Sequence, residues 1–234
     1  MKKLMGLVLT LGLGFFGCGA DSAHDEVDPL APGSVLEASA APFEMTLTEM
    51  AGEVAQFNMS GNDQQYYPAT PFQMLYQDGS TIMATTVPDG NNQKVLAEGT
   101  NTFDNIPEGT YFYIPLFNYD DTPPIYGPYP VNNEEARDLF FAPTKYGGTY
   151  SVTVDGKETV LGPDYVVGPV DMKPLPNRSG THIIVLGAFV APMAVGDHEV
   201  IGRVYQSGDA AHSDFNGKNI LAEFTYTVHV VPQK

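Results

Sequence analysis

Cysteine is almost absent: Cys18 is the only one in 234 residues. A disulfide within one chain is therefore impossible. Basic residues are scarce, 11 Lys and Arg against 28 Asp and Glu, for a formal charge of −17. That excludes the basic footprint that nucleic acid requires. It also excludes docking on anionic lipid through a polybasic patch. Past the first 17 residues no apolar run could cross a bilayer as a helix, which takes about 20 residues. The longest, Ile183 to Met193, is interrupted by Gly187 and Pro192. Helix-period patterns are nearly absent. From residue 45 onward there is no Gly-x-Ser-x-Gly, no Gly-x-Gly-x-x-Gly, no phosphate loop and no His-x-x-x-His pair.

What is present begins with an address. Met1-Lys2-Lys3 is basic, and Leu4 to Phe16 carries no charge. This run is too short to span about 30 Å of hydrocarbon and reads as a signal peptide over residues 1–17. It ends in Phe15-Phe16-Gly17-Cys18. A small residue before a cysteine at this place resembles the lipobox of bacterial lipoproteins, with Phe15 where that family usually has Leu. The resemblance implies cleavage before Cys18 and lipidation of its thiol, palmitate among the acyl chains. Ordinary secretory cleavage after Ala20 is the alternative. A lipidated Cys18 also removes a lone thiol from an oxidising compartment. Gly19 after the cysteine, rather than Asp, resembles outer-membrane lipoproteins if the cell has two membranes. Without Lys2 and Lys3, nine basic residues face 28 acidic ones, a formal charge of −19. Solubility and self-repulsion are the plain meaning of that charge; affinity for divalent cations is the sharper one.

Residues 18–44 are acidic, with no Lys or Arg and few large apolar side chains. Such a segment buries too little to offset its ordering entropy and is expected to be a flexible tether. Residues 45–234 suit a single β domain. In Tyr150-Ser151-Val152-Thr153-Val154 apolar and hydroxyl residues alternate, and Asp155-Gly156 follows as a hairpin turn. Phe224, Tyr226, Val228 and Val230 share another alternating face. Tyr111 to Phe117, Thr181 to Val190 and Glu199 to Tyr205 are strand-like. Weaker strand candidates are Gln56 to Met59, Gln73 to Tyr76, Thr81 to Thr86 and Lys94 to Ala97. Asn132 to Phe141 is the one helical candidate, with Asn132 or Asn133 as cap and Pro143 as stop. About nine strands and one short helix give an all-β, two-layer antiparallel β-sandwich, jelly-roll or Ig-like; a β-barrel is the alternative. The expected core contains Tyr111, Tyr113, Val152, Val154, Ile184, Leu186, Val200, Val204, Phe224, Tyr226 and Val228.

Two stretches carry a second resemblance. One is Ile106-Pro107-Glu108-Gly109 leading into Tyr111 to Asn118. The other is Ala191 to Val200, followed by the strand ending Tyr226 to Pro232. With Thr153-Val154-Asp155-Gly156-Lys157 they resemble a loose group of uncharacterised secreted bacterial β-sandwich proteins. The resemblance spans about residues 100 to 232 and implies fold and secretion, not an activity.

Candidate sites are few. Asn118, Asp120 and Asp121 are oxygen-bearing side chains at a strand end, before the stiff Thr122-Pro123-Pro124, and suit Ca²⁺. A solvated turn is the plain reading of the same residues. Tyr119, Tyr126 and Tyr129 lie on Pro-rich loops and suit stacking on a sugar or a protein. Covering the end of the core is their plain reading. The histidines show no ligand spacing, although His182 and His198 could meet across neighbouring strands. The functional expectation is an extracytoplasmic lipoprotein held in the cell envelope through Cys18. Its role would be non-enzymatic, binding a protein or glycan or serving the envelope structurally, with no cofactor. A glycan-directed envelope hydrolase and a Ca²⁺-stabilised adhesion module are the alternatives.

Overall fold

In the computed structural model, residues 31–77, 82–176 and 178–233 are described. Ten strands form two open sheets. The smaller contains β1 (Gln73–Met74), β4 (Phe112–Asp120), β8 (His182–Val190) and β7 (Val166–Asp171), in the order β1-β4-β8-β7. The larger contains β2 (Met83–Asp89), β3 (Asn92–Pro107), β10 (Asn219–Val231), β9 (Gly196–Gln206), β5 (Gly148–Val154) and β6 (Lys157–Leu161), in the order β2-β3-β10-β9-β5-β6. The sheets face each other as an all-β sandwich and do not close into a barrel.

The inner faces follow the alternation of the strands. Val152 of β5, Val200 and Val204 of β9, and Tyr226 and Val228 of β10 meet Ile114 of β4 and Ile184 and Leu186 of β8. The Asp-Gly signal makes its hairpin: Val154 pairs with Lys157, and Asp155 and Gly156 both take positive φ, +49° and +81°. A two-residue turn of this hand matches the twist of the flanking strands. Most pairings are antiparallel, but β10 runs parallel to β3 from Asn219 opposite Lys94 to Val231 opposite Pro107. β1 is likewise parallel to β4.

Among the described residues three α-helices accompany the sheets. α2 (Asn133–Phe141) stands where the sequence puts it, and the Asn132 side chain accepts the Glu135 N–H at 2.9 Å. α3 (Asp209–Asp214) precedes β10. α1 (Leu47–Met59) is the main departure, because its last residues, Gln56 to Met59, read as a weak strand. A capping box starts it: Glu49 N–H donates to the Thr46 hydroxyl, and the Glu49 carboxylate accepts from Thr46 N–H. Met50, Val54 and Phe57 are fully buried against the outer face of the smaller sheet, beside Tyr113, Val185 and Phe189. The molecule is thus layered as helix, small sheet and large sheet. Tyr113 belongs to the helix-facing cluster, not to the core between the sheets.

Residues 31–44 also differ from the expected tether. Gly33 N–H donates to the Pro192 carbonyl at 3.0 Å, Ala191 N–H to Ser34 at 2.8 Å, and Leu36 N–H to Phe189 at 2.9 Å. Val35 bridges Val190. β7 pairs with β8 only as far as Leu186, so this segment fills the open side beyond. Val35 and Leu36, buried at 8 % and 6 % exposure, suffice to fix it there. Cys18 and the rest of the expected tether lie outside the described residues.

If α1 is a structural layer, truncating its fully buried ring is costly. Phe57→Ala should lower unfolding free energy by about 3–5 kcal/mol, read from the urea midpoint. A loss below about 1 kcal/mol would make α1 peripheral.

Candidate functional site

The strand that carries most of the candidate residues contains a bulge. In β4, Pro115 lies opposite Gly187 but Phe117 lies opposite Leu186. The extra residue, Leu116, changes which side chains face inward. Before it Phe112 and Ile114 enter the core between the sheets; after it Phe117 and Tyr119 pack there. Asn118 and Asp120 alternate with those two.

Tyr119, Tyr126 and Tyr129 are brought together, each half-buried against the core. The Tyr119 and Tyr129 rings stack with centroids 5.9 Å apart and planes 15° from parallel. The Tyr119 hydroxyl accepts the Tyr126 N–H at 2.8 Å, and the Tyr129 hydroxyl donates to the Tyr119 carbonyl at 3.2 Å. Tyr146 sets its ring edge against Tyr119 and donates its hydroxyl to Asp214 at 2.8 Å. Burial pushes the hydroxyls of Tyr119, Tyr129 and Tyr146 above the ordinary tyrosine range, and nearby carboxylates push the same way. They therefore remain neutral donors. The cluster closes one end of the sandwich.

Asp121 ties that end to the start of β8. Asp121 accepts from Thr181 N–H at 2.6 Å, the Thr181 hydroxyl at 3.2 Å, and His182 N–H at 3.0 Å. Its fourth partner is His182 Nδ1 at 2.9 Å. Burial raises the Asp121 carboxyl, but these bonds outweigh it and hold the group below the usual carboxylate range. Asp120 accepts Thr122 N–H at 2.8 Å and approaches Arg178 at 3.4 Å. The oxygens that a hard cation would use on Asp121 are engaged, and Asn118 points elsewhere, into the cavity described below. Among the described residues no group of three or more His, Cys, Asp or Glu could hold a metal ion.

The histidines are likewise taken up by structure. His182 sits on the small sheet and His198 on the large one, so they do not meet across a strand pair. His198 Nδ1 lies 2.7 Å from Asp155, and Nε2 lies 2.8 Å from the Ala194 carbonyl. His229 lies 2.6 Å from Asp197, and His212 lies 2.8 Å from the Asn219 amide oxygen.

The cavity is one the sequence did not single out. Because β1 is only two residues long, β4 has no neighbour from β1 beyond Tyr113. At that opening, Asn58 and Asn62 at the end of α1, Gln77 after β1, and Asn118 of β4 line a space of about 130 Å³. Tyr76, Phe224 and Tyr226, with Ile82, Pro115 and Leu116, line the rest of it among the described residues. Asn62 is committed, since its Nδ2 donates to the Gln77 carbonyl at 2.5 Å. Asn58 Nδ2 and both ends of the Gln77 amide are buried and complete no hydrogen bond, although the Tyr226 hydroxyl lies near Gln77. Gln77 is only 4 % exposed. It fits because position 99 is glycine: a Cβ there would stand 2.7 Å from Gln77 Oε1. No family model matches this chain, and no curated protein matches it.

The Asp121 clamp has a pH signature. Its depressed carboxyl contributes stability above the ordinary carboxylate pKa of about 4, and loses it as pH falls through the depressed value. Asp121→Asn should cost about 1–3 kcal/mol at neutral pH, with the gap to wild type closing below about pH 4. A gap that persists unchanged to pH 2 would show that the charge is not what matters.

Proposed function

We propose that the chain is an extracytoplasmic, lipid-anchored binding module of the cell envelope, held through Cys18, and not a catalyst. The observation that supports binding is the division of labour among polar groups. Carboxylates and imidazoles at the sequence-selected positions are saturated by structural partners, as at Asp121, His182 and His198. The cavity beside β4 is lined, among the described residues, by amides, tyrosines and apolar side chains, with no carboxylate or imidazole. A general acid or base must be free to reach its substrate; a binding site needs only a largely apolar concavity with a few fixed polar groups.

The address rests on the N-terminal residues themselves. Among the described residues no helix is long and apolar enough to cross a membrane. The docking of residues 31–44 sharpens the anchored picture. Only twelve residues separate Cys18 from Ala31. Fully extended they reach at most roughly 45 Å. The body would stay near the bilayer, with the Gly33–Leu36 segment as its point of attachment.

Two measurements test this reading. Cells expressing the chain should incorporate labelled palmitate into it and retain it in the membrane fraction, and Cys18→Ser should abolish both. Retention of the Cys18→Ser variant in membranes would overturn the lipid anchor. Purified chain should sediment with isolated cell-wall glycan without releasing reducing ends; release of reducing ends would make it a hydrolase.

A further inference from the structure

We infer that His198 is a pH-sensitive latch which, in its doubly protonated form, holds closed the seat of the Gly33–Leu36 segment. Both of its ring nitrogens face acceptors. Nδ1 lies 2.7 Å from an Asp155 carboxylate oxygen, and Nε2 lies 2.8 Å from the Ala194 carbonyl. A neutral imidazole has one N–H and one bare lone pair. It can serve only one of these partners and turns its lone pair on the other. The imidazolium donates to both. The device depends neither on the binding-module reading nor on acylation of Cys18.

What the ring joins gives the latch its consequence. Asp155 directly follows Val154 in the turn after β5, and Ala194 directly follows Met193 in the loop from β8 to β9. Gly33 is wedged between those two neighbours. A Cβ there would stand 3.1 Å from Val154 Cγ1 and 3.7 Å from Met193 Cγ. The same loop makes the segment's backbone bonds, since Gly33 N–H donates to the Pro192 carbonyl and Ala191 N–H to that of Ser34. His198 therefore draws together the two jaws, turn and loop, that grip the segment. Val35, Val154 and Met193 are buried in one cluster, so parting the jaws would admit water to apolar side chains.

The surroundings favour the charged ring. Partial burial works against its proton, but the bonds to Asp155 and to the Ala194 carbonyl outweigh that and raise the group above the ordinary histidine value. Burial likewise raises the Asp155 carboxyl, and the bonds from His198 and from Glu199 N–H bring it below the usual carboxylate range. Asp155 is thus anionic wherever the latch works. Among the described residues Asp197, on the same strand, is the other charge that acts on the ring, and His229 of β10 engages it at 2.6 Å. Val228 of β10, opposite His198, is apolar, and residues 31–36 and 191–195 carry no charged side chain. A histidine raised by folding adds stability that is fully present below its ordinary value of about 6.5. That stability is lost as pH rises through the folded value. The seat is therefore firm in mildly acidic surroundings and slack in alkaline ones.

The test follows the full ¹⁵N-labelled chain by NMR from about pH 5 to about pH 9, the range a histidine spans. The His198 ring nitrogens should titrate with a midpoint above the ordinary value of about 6.5. Asp155→Asn, which keeps a favoured Asn-Gly turn, should lower that midpoint. A wild-type midpoint at or below the ordinary value, or one unmoved by Asp155→Asn, would overturn the inference. Amide exchange then reads the seat. Protection of the Gly33, Leu36 and Ala191 N–H groups should fall about threefold or more as His198 loses its proton. Ala142 N–H, beyond the opposite end of β5, should keep its protection. In His198→Gln the pH-linked fall should vanish, and in Asp155→Asn it should move to lower pH, which keeps the link testable if the first variant does not fold. A fall that persists in His198→Gln belongs to another group, and an equal fall at Ala142 is a global loss; either result overturns the latch. Loss of palmitate incorporation would strike the lipid-anchored reading and leave the latch untouched.

Discussion

The structure depends on one strand being buried on both sides. From Ile183 to Val190, β8 exposes at most 1 % of every large side chain. Ile184, Leu186, Ala188 and Val190 face the large sheet, while Ile183, Val185 and Phe189 face α1. Each large apolar side chain kept from water is worth about 1.5–3 kcal/mol, so neither face can be left uncovered. A two-layer sandwich covers only one of them. The third layer, α1, follows from β8 rather than from any strong helical preference of its own. The docked Ser34–Leu36 segment follows from the same strand, because it satisfies the backbone that β7 leaves unpaired.

That constraint explains what could be read from the sequence and what could not. Alternating strands such as Tyr150–Val154 show their inward face directly, because only one side is apolar. The Asp155-Gly156 turn and the Asn132 cap are local chemistry and were legible for the same reason. β8 was recognisable as a strand, but a continuous apolar run does not say that something must cover its second face. α1 had a readable start in Thr46-Leu47-Thr48-Glu49, and reading its end as a strand ignored that capping box. The parallel partnership of β3 and β10 joins residues more than 120 positions apart, beyond the reach of any local pattern.

The site divides along the same line. Asn118, Tyr119, Asp120 and Asp121 stood out because they are consecutive and polar at a strand end. Adjacency in sequence made them look like one site, but alternation and the bulge at Leu116 send them to different tasks. Tyr119 caps the core, Asp121 clamps the start of β8, Asp120 holds Thr122 and Arg178, and Asn118 turns to the cavity. The residues that share that cavity, Asn58, Gln77 and Tyr226, come from three other elements. No spacing rule links them, since only the short β1 and the bulged β4 bring them to one opening.

The distribution of charge then acquires a physical sense. Exposed acidic residues repel one another, while those at chain crossings, such as Asp121 and Asp155, serve as acceptors for backbone N–H groups. A carboxylate used this way is worth more than a surface ion pair, because several aligned donors share it. The opening beside β4 is lined differently, among the described residues by amides, aromatic rings, Pro115 and the aliphatic Ile82 and Leu116. A buried amide without a partner is a cost to folding that hydrophobic residues of similar size would avoid. Gln77 escapes part of that cost because the Tyr226 hydroxyl lies beside it, and it fits only over Gly99, where a Cβ would stand 2.7 Å from its Oε1.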